Sequence, residues 1–164
     1  KNVNELLKDK HLTQAVTVAL AKHDMMLSIT KEKQRTHPLS VSAKRGAEIY
    51  KSATCIACHQ ADGEGVEKTF PPLNRSEWLS RNRTDSIKVV LKGLVGPIKV
   101  LGKGYNGAMP AQENLKDQQI ADVLNFTRNS WNNQLGDITK EEVAKVRSDL
   151  NNRKEPFTAK DFGK

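Results

Sequence analysis

Five consecutive residues, Cys55-Ile56-Ala57-Cys58-His59, constrain this 164-residue chain more than any other stretch. Two thiols separated by two residues, with an imidazole directly after the second, form the attachment pattern for a covalent haem. Each thiol can add to a vinyl group and make a thioether, and the adjacent histidine then faces the ring centre, where a nitrogen can bind iron. Two other uses of the pattern fit poorly. A structural zinc site takes four ligands, usually including a second closely spaced pair, but the chain has only two cysteines, and His11, His23 and His37 are scattered upstream. A Cys-X-X-Cys redox pair belongs beside a strand–helix–strand unit and needs no histidine. No such unit is legible here.

The second informative stretch is Tyr105-Asn106-Gly107-Ala108-Met109-Pro110, with Met109 fifty residues beyond His59. Methionine usually fills gaps in a core. In a Gly-rich loop of this polarity, and beside the cysteine motif, Met109 is instead a candidate sixth iron ligand opposite His59. A histidine–methionine pair raises the reduction potential of the iron. With both axial positions filled there is no open site for oxygen or substrate, which implies outer-sphere electron transfer and no catalytic residues. His11, His23, Met25 and Met26 are alternative ligands in principle, but helix packing and exposure are commoner fates for such residues.

The order Gly46, Tyr50, Cys55-X-X-Cys58-His59, Pro71-Pro72-Leu73, Met109-Pro110 and a later helix with Phe126 resembles a class I cytochrome c over residues 41–133. The run from Gly93 to Pro110 is similar to a narrower bacterial set, single-haem cytochromes that serve or are fused to periplasmic dehydrogenases and reductases. The resemblance implies one covalent haem c and attachment outside the cytoplasm, so a periplasmic or otherwise extracytoplasmic location. It implies that Gly46 and Tyr50 cross the helix bearing Phe126. A carbonyl of Pro71 or, alternatively, Pro72 would accept the hydrogen bond of the axial histidine. Arg75 and Trp78 would stand near a haem propionate, while Tyr105 is a candidate donor to a propionate or to the Met109 region.

Net charge is +8. Between residues 75 and 103 the chain carries Arg75, Arg81, Arg83, Lys88, Lys92, Lys99 and Lys103 against Glu77 and Asp85. With no nucleic-acid motif or aromatic interleaving, that excess points to redox partners with acidic docking surfaces rather than to nucleic acid. No stretch is long and apolar enough to span a bilayer, and no signal peptide is recognisable, so the numbering is expected to begin after a cleaved leader or at a domain boundary. Aromatic residues are only 5%, and a core of about ninety residues is marginal alone. A bound haem would supply the missing apolar surface, and the two cysteines it uses leave none for a disulfide.

The expected fold is all-α, with short helices around one haem, a small β-hairpin near the methionine loop and extra helices at both ends. Residues 1–40 read as a helical extension and linker, with a stripe of Leu12, Ala15, Val16, Ala19 and Leu20 extended by Met26 and Ile29. Residues 41–133 read as the cytochrome domain, and 134–164 as a C-terminal helix and tail. Ser42 and Thr84 are expected helix caps, the Thr84 helix carrying Ile87, Val90, Leu91 and Leu94. Ile98 to Tyr105 is expected to form the hairpin. Asp117 starts or caps a helix with Ile120, Val123, Leu124, Thr127 and Trp131 in its stripe. Thr139-Lys140-Glu141-Glu142 is a capping box. The reading is a single-haem electron carrier, a monomer or a domain of a larger chain. Its rivals are a haem domain of a larger quinoprotein dehydrogenase or nitrite reductase and, more remotely, a haem enzyme or gas sensor.

Overall fold

Ser40, rather than Ser42, starts the helix that leads into the cysteine motif. Its hydroxyl accepts the Ala43 amide at 3.1 Å, and α1 runs over Val41–Ser52. Ser42 lies inside the helix, where its hydroxyl donates to Asp122 at 2.6 Å. The expected cap at Ser42 is thus displaced by two residues, and the Ser42 side chain is engaged with Asp122 instead. A computed structural model describes residues 14, 17–23 and 38–163. The chain divides into two units, Lys1–Pro38 and Leu39–Lys164. In the first, residues 17–23 are helical and exposed, Ala19, Leu20 and His23 among them. Leu12, Ala15, Val16, Met26 and Ile29 of the expected stripe, with His11, Met25, Thr36 and His37, fall outside the described residues.

In the second unit α2, Cys55–His59, follows α1 directly. After a long loop come α3, Glu77–Ser80, and α4, Arg83–Lys92. Asn82 caps α4 by accepting the Thr84 amide at 2.9 Å, so Thr84 is inside the helix. Leu94, expected on that helix, instead opens a hairpin. Strand β1, Leu94–Val100, pairs antiparallel with β2, Lys103–Met109, and the register sets Leu94 against Met109. The hairpin is thus longer than Ile98 to Tyr105, and Met109 ends a strand instead of sitting in a free loop.

Helix α5, Asp117–Asn129, follows; Asp117 is its first residue, and the Gln119 side chain accepts the Lys116 amide at 2.9 Å. Trp131 lies beyond its end. Helix α6, Lys140–Asp149, carries the expected capping box, with Thr139 and Glu142 satisfying each other's amides at 3.2 and 2.7 Å. The apolar cluster joins Ile87 and Leu91 of α4, Ile120, Ala121 and Leu124 of α5, and Ile138, Val143 and Val146 at and on α6. Each such side chain contributes about 1.5–3 kcal/mol when fully buried, so α6 is part of the core rather than an appendage. The tail docks too. Phe157 exchanges backbone hydrogen bonds with Gly93 and Val95 at 3.0 and 2.8 Å, and Phe162 sets its ring edge-on to Trp78 at 5.6 Å.

Helices α1 and α5 cross closely at Gly46. A Cβ there would overlap the Asp122 carbonyl oxygen and come within 2.9 Å of Phe126 Cβ. Tyr50 packs at 5.2 Å from Phe126 and 5.9 Å from Trp131, completing an aromatic triad one turn along.

Candidate haem-binding site

The chain bends sharply on either side of α2. Thr54 before it has φ 62°, and Gln60 after it has φ 62° and ψ 167°. The second conformation is one that side chains rarely adopt, at a cost of about 1–3 kcal/mol. The Tyr50 hydroxyl holds it by donating to the Gln60 carbonyl at 2.8 Å. The α1–α5 crossing therefore fixes the exit of the cysteine motif.

His59 is buried, and its Nδ1 donates to the Pro71 carbonyl at 2.9 Å. Of the two prolines left open by sequence, this bond goes to Pro71, while Pro72 is buried in a cavity wall. Burial pushes the His59 pKa down, and the bond to Pro71 opposes that push. The neutral ring keeps its proton on Nδ1, which leaves Nε2 as the basic nitrogen. Gly65 closes this loop with φ +66°, its amide donating to the His59 carbonyl at 3.1 Å. A Cβ at Gly65 would lie 2.7 Å from the Pro71 oxygen, so the close approach requires glycine. The loop's far end is stapled by buried Asn133, which donates to the Leu73 and Thr127 carbonyls at 2.9 and 2.8 Å and accepts the Arg75 amide at 2.8 Å. Sequence reading passed over Asn133, since nothing local marks an asparagine just past a helix as a loop anchor.

Two adjoining hollows lie between α2, the Pro71 segment and the hairpin. Both have Cys55, His59, Pro71, Leu94, Ile98, Met109 and Gln112 in their walls. The first extends to Pro72, Trp78, Leu79, Val89 and Leu115, and the second to Cys58, Phe70, Tyr105 and Pro110. No Asp, Glu, Lys or Arg lines either one. Both cysteines are half-buried and not joined in a disulfide, and burial pushes the Cys55 thiol pKa up. An apolar slot that brings together two thiols, an oriented imidazole and a thioether fits a covalent haem with its iron. Among the described residues, no cluster of three or more His, Cys, Asp or Glu offers a separate metal site.

The remaining expected residues divide. Tyr105 is buried in the wall of the second hollow. Trp78 lines the first, but its indole N–H donates to the Lys99 carbonyl at 2.9 Å. Arg75 is exposed, has φ 57° and lines neither hollow. Sequence reading did not single out Gln112, Leu115 or Val89, whose side chains line the slot. Leu115 and Val89 carry only the signal of isolated apolar positions, and polar Gln112 carries none.

The basic stretch is largely neutralised in three dimensions. Arg83 meets Glu142 at 3.5 Å, Lys88 meets Asp85 at 3.8 Å, Lys92 meets Glu113 at 2.6 Å and Lys103 meets Glu67 at 3.1 Å. Three of those acids lie outside the stretch, which is why the linear count overstated the patch.

The family model for cytochrome c matches residues 43–131. Cytochrome c-552 of Thermus thermophilus is 40% identical over 119 residues, which is 67% of this chain and 79% of that protein. The cytochrome c subunit of a quinone alcohol dehydrogenase from Gluconacetobacter polyoxogenes is 37% identical over 110 residues, 62% of this chain but only 22% of the subunit. The cytochrome c subunit of gluconate 2-dehydrogenase from Pantoea cypripedii is 36% identical over 114 residues, 65% and 25% respectively. With these matches beside the slot and its cysteine motif, the chain belongs to the cytochrome c family and transfers electrons through one covalently attached haem c.

Proposed function

We propose that Cys55 and Cys58 carry the haem through thioethers, that His59 and Met109 are its axial ligands, and that the protein shuttles single electrons between redox proteins outside the cytoplasm. When bound, the haem supplies a one-electron couple, its iron passing between ferric and ferrous. The chain's own residues do the rest. The Pro71 carbonyl orients His59 and makes Nε2 a stronger donor. The Leu94–Met109 pairing sets the methionine at the end of a strand. The apolar walls exclude water, which limits reorganisation of the surroundings when the charge changes. Tyr105, buried in the wall of the second hollow, is the candidate donor to a propionate or to the Met109 region. The single observation that carries the reading is the presence of Cys55, His59 and Met109 in the walls of one apolar slot.

The domain reading is residues 1–40 as an extension with linker, 41–133 as the cytochrome domain and 134–164 as a C-terminal helix and tail. The family match over 43–131 and the division after Pro38 support it. The exposed cations Arg75, Arg81 and Lys99, for which no ion pair is found among the described residues, suit a partner with an acidic docking surface. A second reading is favoured by the relatives of which the chain covers only 22–25%: a haem domain serving a larger dehydrogenase. No helix among the described residues is long and apolar enough to cross a membrane.

A denaturing gel stained for haem tests the attachment. In a host with haem-attachment machinery the unaltered protein keeps its stain, and the Cys55→Ser/Cys58→Ser variant loses it. Stain retained by the double variant would overturn the thioether assignment.

A further inference from the structure

The stretch that follows Met109 is held by one side chain from a helix beyond the family match. Arg147, on α6, donates from Nε to Asp117 Oδ1 at 2.7 Å, from Nη1 to the Glu113 carbonyl at 2.9 Å and from Nη2 to the Leu115 carbonyl at 2.6 Å. The family model's match covers residues 43–131 and does not reach this helix. The turn so gripped includes Leu115, which lines the first hollow, and adjoins Gln112, which lines both. The Leu115 amide donates to the Gln112 carbonyl at 3.1 Å, which ties the gripped turn to the segment that follows Met109-Pro110; the Gln112 amide in turn donates to the Val90 carbonyl of α4 at 2.9 Å. Lys92 adds a second hold by its pair with Glu113 at 2.6 Å. A guanidinium fork that makes charge-assisted bonds to three fixed oxygens restrains a turn in a way that a point charge does not.

We propose that Arg147 is a positioning residue for the sulfur ligand: it fixes residues 113–117 and thereby keeps Met109 on the iron against competing ligands. This rests on Met109 being that ligand. Removing the fork leaves the turn held by the Lys92–Glu113 pair and the Gln112–Val90 bond, and the Met109 sulfur then yields more readily to an external ligand.

The test is imidazole binding to the purified ferric holoprotein, followed by loss of the sulfur-to-iron absorption band. Arg147→Met keeps the apolar stem and is expected to raise apparent imidazole affinity about tenfold, the factor that corresponds to 1.4 kcal/mol. Arg147→Lys keeps the charge without the fork and is expected to fall between; it serves if Arg147→Met does not accumulate. Thr139→Ala removes the α6 cap, lowers stability and leaves the three Arg147 bonds unaltered, so its affinity is expected to stay at the starting value. Equal imidazole affinity in the unaltered protein and the Arg147 variants would overturn the inference, as would a rise in Thr139→Ala equal to that in Arg147→Met. Absence of the band from the unaltered protein would overturn the ligand assignment itself, and this inference with it.

Discussion

Asp122 shows how a single residue joins the helices that frame the site. It is 2% exposed, yet it accepts bonds from Arg45 Nε and Nη2, each at 2.7 Å, from Ser42 at 2.6 Å and from Gln118 at 2.9 Å. Burial alone would raise its pKa; the Arg45 guanidinium, then the Ser42 hydroxyl and Gln118 amide, bring it below the ordinary carboxylate value. A carboxyl group with a depressed folded-state pKa stabilises the fold above its unfolded value of about 3.9 and loses that contribution as pH falls through the folded value. Asp122→Asn is therefore expected to lower stability at neutral pH by about 2 kcal/mol, the scale of a hydrogen bond to a charged group. It is also expected to flatten the loss of stability in acid. Denaturant midpoints of both proteins between neutral pH and about pH 3 check this; parallel pH profiles would contradict it. Nothing in the sequence marks Asp122 as buried. It lies between Ile120-Ala121 and Val123-Leu124, but its partners Ser42 and Arg45 are some eighty residues away.

Among the elements, those with a local signature were legible and those made by long-range contact were not. The α5 stripe and the α6 capping box were visible because each is written within about one to three turns of chain. The hairpin was recognised but placed too short. Leu94 reads as the end of an apolar helical stripe, and only its pairing with Met109 makes it a strand residue. The docking of the tail has no local signature, because Phe157 finds its place through the backbone of Gly93 and Val95, some sixty residues earlier. Of the candidate site, Cys55, Cys58 and His59 stand out by their spacing and Met109 by its Gly-rich surroundings beside that motif, and all four line the hollows. The choice of Pro71 over Pro72 needed the loop geometry. Gly46 tests the element that frames the site. Its absent side chain lets α1 approach α5, and Gly46→Ala must push the helices apart. We expect a loss of about 3 kcal/mol, at the upper end for overpacking, read as a lowered denaturant midpoint of the holoprotein. A change under about 0.5 kcal/mol, the range of ordinary surface substitutions, would mean that the crossing is looser than described.

The whole molecule carries a net charge of +8, yet charge is kept out of the slot and mostly paired on the surface between residues 75 and 103. Four of the seven cations there face acids. Exposed pairs add little to stability, but they do weaken the outward field. Association with an acidic redox partner is accordingly expected to slow as ionic strength rises, with a slope shallower than seven unpaired cations would give. Stopped-flow rates across a salt series measure that slope, and a flat series would remove the electrostatic part of the account. The central claim is that this chain fills both axial positions of one covalent haem and so transfers electrons without binding substrate at iron. The most direct measurement is the optical spectrum of the purified holoprotein, ferric and then ferrous, with and without carbon monoxide. The account predicts a low-spin spectrum, a ferric sulfur-to-iron band that disappears in Met109→Leu, and no carbon monoxide binding by the unaltered protein. A high-spin spectrum, or ready carbon monoxide binding without any substitution, would take Met109 off the iron and contradict it.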